Sequence, residues 1–530
     1  MNLTWLNTTT IATTAACVVV TTIYLRYLYK AHRMRHIPGP QPSNFFLGNV
    51  LDTLGSVATW KTTGTYPEPF LSWIKAYGGA VLYREFFTNV VMISDPKALQ
   101  YVLVTHANNF RRDPALESYV TDMMFGAGLL ATHGKQHDEY RALLNPIVAS
   151  SSIKAFVPTM DDHVRCYCAT MLTKAASTNS PVDMFEVVQQ LTLEVIGMAA
   201  FGFNFKHHPE AHAAYKAYQL EPSPFFLIGI FTIPGFLNLP LPEVLRRRTT
   251  QKALKQVINA VIEDKLKRPA ADGGPKDILD LILPHSTTPE ALCHTMTFLF
   301  AGHETSASAL AWVFASVASR PDIVAQIRQE YHAVVSKHKS LASWEAASDL
   351  KYTLAVIHET LRLNPVVYEV LPRVALVDDI LPMEEADGRT LDIPQGTKIT
   401  INLPAIHRNP KYWANPEAFI PDRFVDGSDA HRADRALRGD KPSTFYYLPF
   451  SMGGKNCIGQ RFALVEMQLI VATFLAHFDF ALTDRANICH NYAATTLHPV
   501  KLEMSVRSVA SPATVERATL FPSSQHTTTA

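Results

Sequence analysis

Hydrophobic positions spaced three or four residues apart dominate the chain from Pro96 to about Leu363, and proline-rich turns separate these stretches. Such spacing predicts helices. Shorter stretches that alternate apolar and polar residues predict strands before and after this region. The predicted strands are Ala80–Tyr83, Val90–Ile93 and Leu391–Leu403, the last with a turn at Pro394 and Gly396. The pattern therefore predicts a mainly α fold with a smaller β region.

The longest helical stretch runs from Pro289 to Ser319. A helix of that length would extend about 47 Å, the width of a whole domain. We expect Thr288 to cap its start and Arg320-Pro321 to end it. Its apolar composition places it in the core.

One charge interrupts this helix. After Glu290 its only formally charged residue is Glu304, which precedes Thr305. A carboxylate in an apolar helix is costly unless it is paired or functional. The alternative to a functional pair is a salt-bridged Glu304 beside a threonine that bonds to its own helix.

The N-terminus carries an apolar and threonine-rich stretch, Ile11–Leu28, that is interrupted only by Arg26. Its length is near the lower limit for crossing a bilayer. Basic residues follow the stretch, which is typical of an uncleaved signal anchor with the rest of the chain in the cytosol. A cleaved signal peptide is the alternative. The basic residues are Arg26, Lys30, Arg33 and Arg35.

We therefore divide the chain into four regions. Residues 1–30 are predicted to be a transmembrane anchor, and residues 31–44 a basic and proline-rich connector that includes Ile37-Pro38-Gly39-Pro40. Residues 45–507 form the globular domain. The Ser/Thr/Ala-rich residues 508–530 are expected to be disordered.

Composition excludes several classes of protein. Hydrophobic residues make up 47% of the 530 residues and charged residues 18%, so a large core is available. A balance of 48 basic against 47 acidic residues argues against a nucleic-acid binder. Six cysteines are too few for a disulfide scaffold, and Cys166 with Cys168 lacks the partners of a zinc site. The domain is expected to face a reducing compartment.

The strongest local feature is the glycine-rich segment from Phe450 to Gly459, which contains Cys457 and precedes the helical pattern Gln460–Phe478. Free backbone N–H groups at a helix start favour a thiolate. Glycines let the backbone approach the sulfur closely. Most single cysteines are instead small buried apolar residues, which is the alternative here.

The spacing Phe-x-x-Gly-x-x-x-Cys-x-Gly resembles the haem-binding loop of the cytochrome P450 family. The resemblance implies that Cys457 is the proximal ligand of a haem b iron, with Phe450 beside the haem. It also implies a haem-thiolate fold on a membrane anchor. The family usually has arginine where this chain has Lys455, and lysine offers a haem propionate a point contact, not a planar fork.

Other segments resemble landmarks of the same family. Glu359-Thr-Leu-Arg362 matches its ExxR helix, and Pro421-Asp-Arg423-Phe424 matches its PERF segment. In that family these charges hold the fold behind the haem loop. Glu359, Arg362 and Arg423 are therefore expected to be scaffold and not chemical participants.

Ala301-Gly302-His303-Glu304-Thr305 resembles the oxygen-activation motif of the family. The resemblance implies that Ala301 and Gly302 lie beside the haem, and that Gly302 permits the helix to widen there. Glu304 and Thr305 would be the catalytic pair that relays protons during oxygen activation.

A haem needs cations for its propionates. His137 and Arg141 are four residues apart, so they face one side of a helix. They match the family's Trp-x-x-x-Arg, with histidine in place of tryptophan. Arg373 matches another usual propionate contact. His407 and Arg408 are further candidates.

Substrate contacts are less specific. The stretch 225–241 carries no charge and is rich in phenylalanine, and in the family it roofs the substrate channel and touches the membrane. An ordinary pair of core helices is the alternative. Three more segments match pocket walls of the family: Tyr119–Leu130, Val370-Leu371 and Thr495–Leu497. All are apolar or weakly polar, which favours a lipophilic substrate.

The resemblance implies a haem-thiolate monooxygenase that hydroxylates or epoxidises a lipophilic small molecule. The pattern is typical of microsomal fungal members, which implies terpenoid or polyketide secondary metabolism at the endoplasmic reticulum membrane, with one span and a cytosolic catalytic domain. The chain has no dinucleotide-binding fingerprint, so electrons must come from NADPH through a separate reductase, with cytochrome b5 as a further candidate partner.

Two other functions stay open at this point. One is a haem-thiolate isomerase or peroxide-rearranging enzyme, which needs no reductase. The other is a non-enzymatic haem-binding membrane protein. Glu304 and Thr305 argue against both, because neither function needs an acid–alcohol pair.

Overall fold

The computed structural model describes residues 27–509, except for 204, 206–207, 220–222, 234, 269–275, 385–389, 443 and 494, and a few positions between 13 and 25. Within these residues the helices in chain order are α1 Ser56–Thr63, α2 Phe70–Tyr77, α3 Pro96–Gln100, α4 Pro114–Met123, α5 Gly134–Leu144, α6 Ser150–Tyr167, α7 Thr173–Thr178, α8 Met184–Phe201, α9 Pro209–Tyr218, α10 Pro224–Thr232, α11 Pro242–Lys267, α12 Ile278–Ile282, α13 Thr288–Val317, α14 Pro321–His338, α15 Trp344–Asp349, α16 Lys351–Leu363, α17 Leu403–His407, α18 Asp429–Leu437 and α19 Gln460–His477.

Strands are shorter and lie towards the two ends of the described chain. They are β1 Ala80–Glu85, β2 Thr88–Ile93, β3 Phe110–Arg112, β4 Val182–Asp183, β5 Glu369–Ala375, β6 Asp379–Pro382, β7 Thr390–Ile393, β8 Lys398–Asn402, β9 Phe478–Leu482, β10 Asn487–Ala493, β11 Thr496–Lys501 and β12 Glu503–Ser508. The predicted class, mainly α with a smaller β region, is confirmed.

The chain forms two compact units. The first comprises Met1–Pro114, Glu369–Asn409 and Ser443–Asn456. Its largest sheet has the strand order β1-β2-β8-β5-β3, in which only β2 and β8 run parallel. The predicted turn at Gly396 exists and has φ +79°. It separates β7, which pairs with β6, from β8 in the large sheet, so the stretch 391–403 divides between two sheets.

Residues before the predicted domain start are already packed in this unit. Met34 is 0% exposed and Ile37 is 3% exposed. The Pro38 carbonyl accepts a hydrogen bond of 2.9 Å from the Leu82 N–H of β1. A Cβ on Gly39 would lie 1.7 Å from the Leu82 oxygen, so only glycine fits there. The connector is therefore a docked edge of the unit, and the packed chain begins before residue 45.

Arg33 holds the same segment against the first unit through ion pairs. Its guanidinium contacts Asp378 at 2.6 Å and Asp392 at 2.5 Å. Asp378 directly precedes β6 and Asp392 lies within β7, so both belong to the β6–β7 pair, which lies more than 340 residues further along the chain.

The second unit comprises Ala115–Tyr368, Pro410–Pro442 and Cys457–Ala530. Its centre is α13, most of whose side chains are buried and which packs along α8. The cap of α13 is Thr287 and not Thr288. Thr287 accepts from the Glu290 N–H and Glu290 accepts from the Thr287 N–H, a capping box that starts the helix one residue earlier than predicted.

A buried ionic network lies behind this core. Arg362 donates to both Glu359 oxygens at 2.7 and 2.8 Å, and both side chains are 0% exposed. Arg423 contacts Glu359 at 3.3 Å and Asp434 at 2.8 Å. The guanidinium of Arg362 also lies over the Trp413 ring. None of these groups reaches solvent, which agrees with the predicted scaffold role.

Among the described residues, α8 is the helix with the length and hydropathy to cross a membrane, but 67% of it is buried inside the protein. It is a core helix. Most of the predicted anchor, residues 1–30, lies outside the described residues, as do residues 510–530 of the tail. Ser508 is still part of β12, so the ordered chain extends past the predicted boundary at 507.

Glu466 of α19 is a buried acid whose ionised form is disfavoured in the folded protein. It is 1% exposed. Burial raises its pKa to about 8, and the nearby Ser306 hydroxyl opposes that shift. Between pH 4.5 and 8 the unfolded chain therefore binds fewer protons than the native protein, and the stability of the fold falls as the pH rises.

We predict that Glu466→Gln removes this pH dependence. The stability of the variant relative to the native protein should rise between pH 5 and 8, by at most about 1.4 kcal/mol per pH unit. Urea unfolding at several pH values measures it, with Glu263→Gln on the exposed face of α11 as the control. Parallel pH profiles for Glu466→Gln and the native protein would contradict the prediction.

Candidate active site

The cysteine loop owes its shape to one glycine. Gly453 starts a single 3-10 turn, Gly453–Lys455, and has φ +80°. A Cβ at this position would lie 2.0 Å from the Leu103 carbonyl oxygen. The Asn456 N–H closes the turn on the Gly453 carbonyl at 3.1 Å. No other residue type fits Gly453 without moving the backbone.

His407 supports the same loop from α17. It is 0% exposed, and its Nε2 accepts a hydrogen bond of 2.8 Å from the Leu448 N–H. Leu448 lies two residues before Phe450, which is half-buried, as is Lys455. Sequence reasoning considered His407 only as a haem contact. Its bond to the loop backbone depends on tertiary structure and left no signal in the sequence.

Cys457 follows the loop directly and opens the second unit, two residues before the N-cap of α19. Its side chain is accessible, whereas Cys168 and Cys293 are buried. The surrounding protein nevertheless displaces enough water to raise the pKa of the Cys457 thiol. The Gly459 N–H, the charge of Arg141 and the Gln460 N–H act in the opposite direction. The thiol is thus reachable and surrounded by groups that favour its ionised form.

Arg141 and His137 lie on α5, where their spacing was predicted to put them on one side. His137 is 3% exposed, with Nδ1 3.2 Å from an oxygen of Asp138. Arg141 is half-buried, and burial lowers its pKa while the nearby Cys457 opposes that shift. The structure therefore brings Arg141 into the electrostatic field of the cysteine.

Arg373 lies on β5, directly opposite Arg112 on β3. The two side chains are 4% and 3% exposed. Like charges at opposite positions of a sheet are destabilising on their own, so the pair is suited to an anion. Sequence reasoning missed Arg112, because the register of two short strands separated by more than 250 residues cannot be read from local patterns.

The centre of α13 presents the predicted acid and alcohol. Glu304 Oε1 accepts a hydrogen bond of 2.7 Å from the Thr496 hydroxyl. The Thr305 hydroxyl donates to the Ala301 carbonyl, one turn earlier, at 2.5 Å. This bond from Thr305 to its own helix is the one expected if the threonine has no catalytic role.

Gly302 has a different role from the one predicted. The helix is α throughout Thr288–Val317 and does not widen at Gly302. A Cβ on Gly302 would lie 3.1 Å from Ile196 Cδ1 of α8. The missing side chain therefore lets α8 and α13 pack closely, which is the physical reason for glycine at this position.

His303, which was not singled out by sequence, fixes this turn of α13. Its Nδ1 lies 3.2 Å from both the Tyr215 hydroxyl and the Gln219 amide nitrogen of the α9 region. Its carbonyl accepts from the Thr192 hydroxyl of α8 at 3.2 Å. Burial lowers the pKa of His303 to about 4, so the imidazole is neutral at pH 7.

The phenylalanine-rich stretch has a buried part and an exposed part. Phe226 and Phe236 are each 2% exposed and pack edge to face, as in a core. Phe225 is 64% exposed and lies on the surface. Beside them Arg247 lies over the Tyr119 ring and contacts Asp122 at 2.9 Å.

Comparison with known proteins gives one consistent result. A family model described as Cytochrome P450 matches residues 38–506. Cytochrome P450 monooxygenase 205 of Postia placenta is 26% identical over 494 residues, which cover 85% of this chain and 86% of that protein. Human cytochrome P450 4X1 is 27% identical, with 86% and 87% covered. Leukotriene-B4 omega-hydroxylase 3 of Mus musculus is 27% identical, with 86% and 88% covered.

Two adjacent glycines provide a direct test of the loop geometry. Gly453→Ala should sharply lower the amount of haem bound per polypeptide, because its Cβ would overlap the Leu103 carbonyl and its φ is unfavourable. Gly454→Ala is the matched control, since no atom lies within 4 Å of a Cβ there. Equal haem content in the two variants would contradict this account of the loop.

Proposed function

This chain belongs to the cytochrome P450 family and is a haem-thiolate monooxygenase, and from that premise we propose that Cys457 is the iron ligand. The family cofactor is haem b, and electrons come from NADPH through a reductase. When bound, haem b supplies the activation of dioxygen. The observation that carries the proposal is the accessible thiol between a glycine-dependent turn and the N–H groups of Gly459 and Gln460. A coordinating metal ion holds such a thiol ionised despite the burial around it.

Two pairs of basic residues would hold the haem propionates. Arg112 and Arg373 form one pair on neighbouring strands, and His137 and Arg141 form the other on α5. Guanidinium groups suit carboxylates because they offer a planar fork of donors. Lys455, at the end of the 3-10 turn, adds a point charge. Phe450, Ala301 and Gly302 are proposed to line the cofactor with apolar surface.

Glu304 and Thr305 are proposed to be the proton-delivery pair. The Thr305 hydroxyl is anchored on the Ala301 carbonyl, and a hydroxyl can still accept a proton while it donates one. Glu304 directly precedes Thr305 on the same turn of the helix and is proposed to exchange a proton with its hydroxyl. The hydroxyl of Thr496 keeps the carboxylate in place.

The substrate is a lipophilic small molecule. We further propose that the enzyme hydroxylates or epoxidises this molecule in fungal terpenoid or polyketide metabolism. Apolar or weakly polar wall segments such as Val370-Leu371 and Thr495–Leu497 support it. One relative is named for leukotriene hydroxylation, so oxygenation of a fatty acid is a second candidate. Titration of the Soret band with farnesol and with dodecanoic acid, followed by product analysis with and without reductase, separates the two.

The same experiment tests the other enzyme class and the non-enzymatic role. Product that forms without NADPH and reductase would favour an isomerase or peroxide-rearranging enzyme. A spectral shift with no product under any condition would favour a haem-binding protein without catalysis. The pairing of Glu304 with Thr305 favours the monooxygenase, because only that reaction consumes delivered protons.

Residues 1–30 are proposed to be a single-pass anchor in the endoplasmic reticulum membrane, with residues 31–509 as the docked connector and cytosolic catalytic domain and 510–530 as a disordered tail. Cytochrome b5 is a proposed second electron donor. The chain has glycosylation acceptors at Asn2 and Asn7, which both precede the apolar stretch and support a lumenal N-terminus.

Cys457→Ser tests the iron ligand. The reduced protein with carbon monoxide should show the red-shifted Soret band of thiolate ligation, and the variant should lose it. The controls are Cys166→Ser, Cys168→Ser, Cys293→Ser and Cys489→Ser, which should keep the band. A shifted band in Cys457→Ser would refute the assignment.

Thr305→Ala tests the proton-delivery pair. Haem binding and the substrate-induced spectral shift should persist, while product formed per NADPH should fall because protons arrive too slowly. General acid–base groups contribute about 10²–10⁴-fold to a rate, which bounds the loss. Thr305→Ser should restore the ratio. An unchanged ratio in Thr305→Ala would point to another proton path.

Topology can be tested with a tag that carries a glycosylation acceptor. Fused before residue 1, the tag should be glycosylated in microsomes, and fused after residue 530 it should not. Protease added to intact microsomes should digest the catalytic domain. Protection of that domain would contradict the cytosolic placement.

A further inference from the structure

The hydrogen bond between Thr496 and Glu304 joins two parts of the second unit that are far apart in sequence. Thr496 is 0% exposed and is the first residue of β11. Its hydroxyl lies 2.7 Å from Glu304 Oε1 at the centre of α13. A threonine hydroxyl carries one proton, so donating it to Glu304 fixes the orientation of both groups.

The position of Thr496 is itself rigid. The next residue, Leu497, is 0% exposed and is bonded through both backbone groups. Its N–H donates to the Val366 carbonyl at 2.8 Å. Its carbonyl accepts from the Trp312 indole N–H at 2.8 Å. Trp312 lies two turns beyond Glu304 on the same helix, so the β10–β11 hairpin is attached to α13 at two points.

The opposite side of this helical turn is held as well. His303 is fixed by Tyr215, Gln219 and Thr192. The backbone of residue 304 therefore has little freedom, and what remains to be set is the direction of its carboxylate. Tyr119 and Tyr215 face that carboxylate closely enough for its charge to raise their pKa values, although burial is the larger cause. Thr496 donates a direct hydrogen bond to it.

We propose that Thr496 is a positioning residue for proton delivery, acting through Glu304. It holds the carboxylate in the orientation from which a proton passes to the Thr305 hydroxyl. This inference rests on the proposed role of Glu304 and Thr305. In productive turnover two electrons from NADPH and two protons convert one oxygen atom of O2 into water, while the other enters the substrate. If protons arrive in the wrong place, the same two electrons and two protons leave as hydrogen peroxide.

The first test measures hydrogen peroxide released per NADPH in protein reconstituted with reductase and without added lipid. Thr496→Val keeps the shape of the side chain and removes the hydroxyl, and we expect the ratio to rise about twofold or more. Thr496→Ser should restore the native ratio. In a Glu304→Ala background, Thr496→Val should cause no further change. A native ratio in Thr496→Val, or equal ratios in the Ser and Val variants, would overturn the proposal.

Thr353→Val is the matched control. Thr353 is also 0% exposed, and its hydroxyl donates to a carboxylate oxygen of Glu330 at the same distance of 2.7 Å. It lies at the start of α16, away from the acid–alcohol pair. If Thr353→Val raised the peroxide ratio as much as Thr496→Val, the effect would reflect lost stability and the proposal would fail.

A second test does not depend on turnover. Urea unfolding of the haem-loaded native protein, Thr496→Val, Glu304→Ala and the double variant forms a double-mutant cycle. A hydrogen bond to a charged group predicts a coupling of about tenfold in the unfolding equilibrium constant. Additive effects would show that the bond is absent in solution and would overturn the proposal. If the cycle shows coupling but the native protein consumes no NADPH, the proposed function is refuted. The hydrogen bond between Thr496 and Glu304 would still be confirmed by that result.

Discussion

The ionic network around Glu359 is the interaction on which the second unit depends. Two carboxylates and three guanidinium groups are sealed from water, where an unpaired charge would cost several kcal/mol, on the order of the whole stability of a domain. Glu359 pairs with Arg362 and Arg423, and Asp434 pairs with Arg423 and Arg438. Further guanidinium N–H groups donate to backbone carbonyls, including those of Pro416 and Asn415. The network therefore fixes the course of a loop that has little regular structure. These charged side chains are stable away from water only when every ion-pair and hydrogen-bond partner is in place. The loop that carries the partners can therefore adopt only one arrangement.

A second constraint acts where the chain enters the site. The turn at Gly453 lies against the Leu103 backbone, so the loop before Cys457 cannot relax towards a wider curve. On the other side of the cysteine, α19 starts at once and runs through the core. In the covalent chain Cys457 thus follows a constrained turn and precedes a buried core helix.

Features that depend on nearby residues were predictable from sequence. Local spacing in the sequence predicts the long helix, the cysteine loop and the pairing of Glu359 with Arg362. The structure contains all three. The cap of α13 was misplaced by one residue, because Thr287 and Thr288 are equally good caps and only the partner Glu290 distinguishes them. Features that depend on register were not predictable. The placement of Arg112 opposite Arg373 requires knowing how two distant strands align. The hydrogen bond from Thr496 to Glu304 requires knowing how β11 packs against α13. Gly302 was assigned to helix widening because its real neighbour, Ile196, lies on another helix.

The docked connector has a practical consequence for preparing this protein. A shortened form that begins at residue 45 would lose the Arg33 clamp on Asp378 and Asp392 and the strand-edge bond from Leu82 to Pro38. It would also uncover the apolar surface that Met34 and Ile37 now cover. The exposed edge of β1 could then pair with another molecule, as free strand edges do. Soluble forms intended for crystallisation should therefore start upstream of Arg33, so that these contacts are kept.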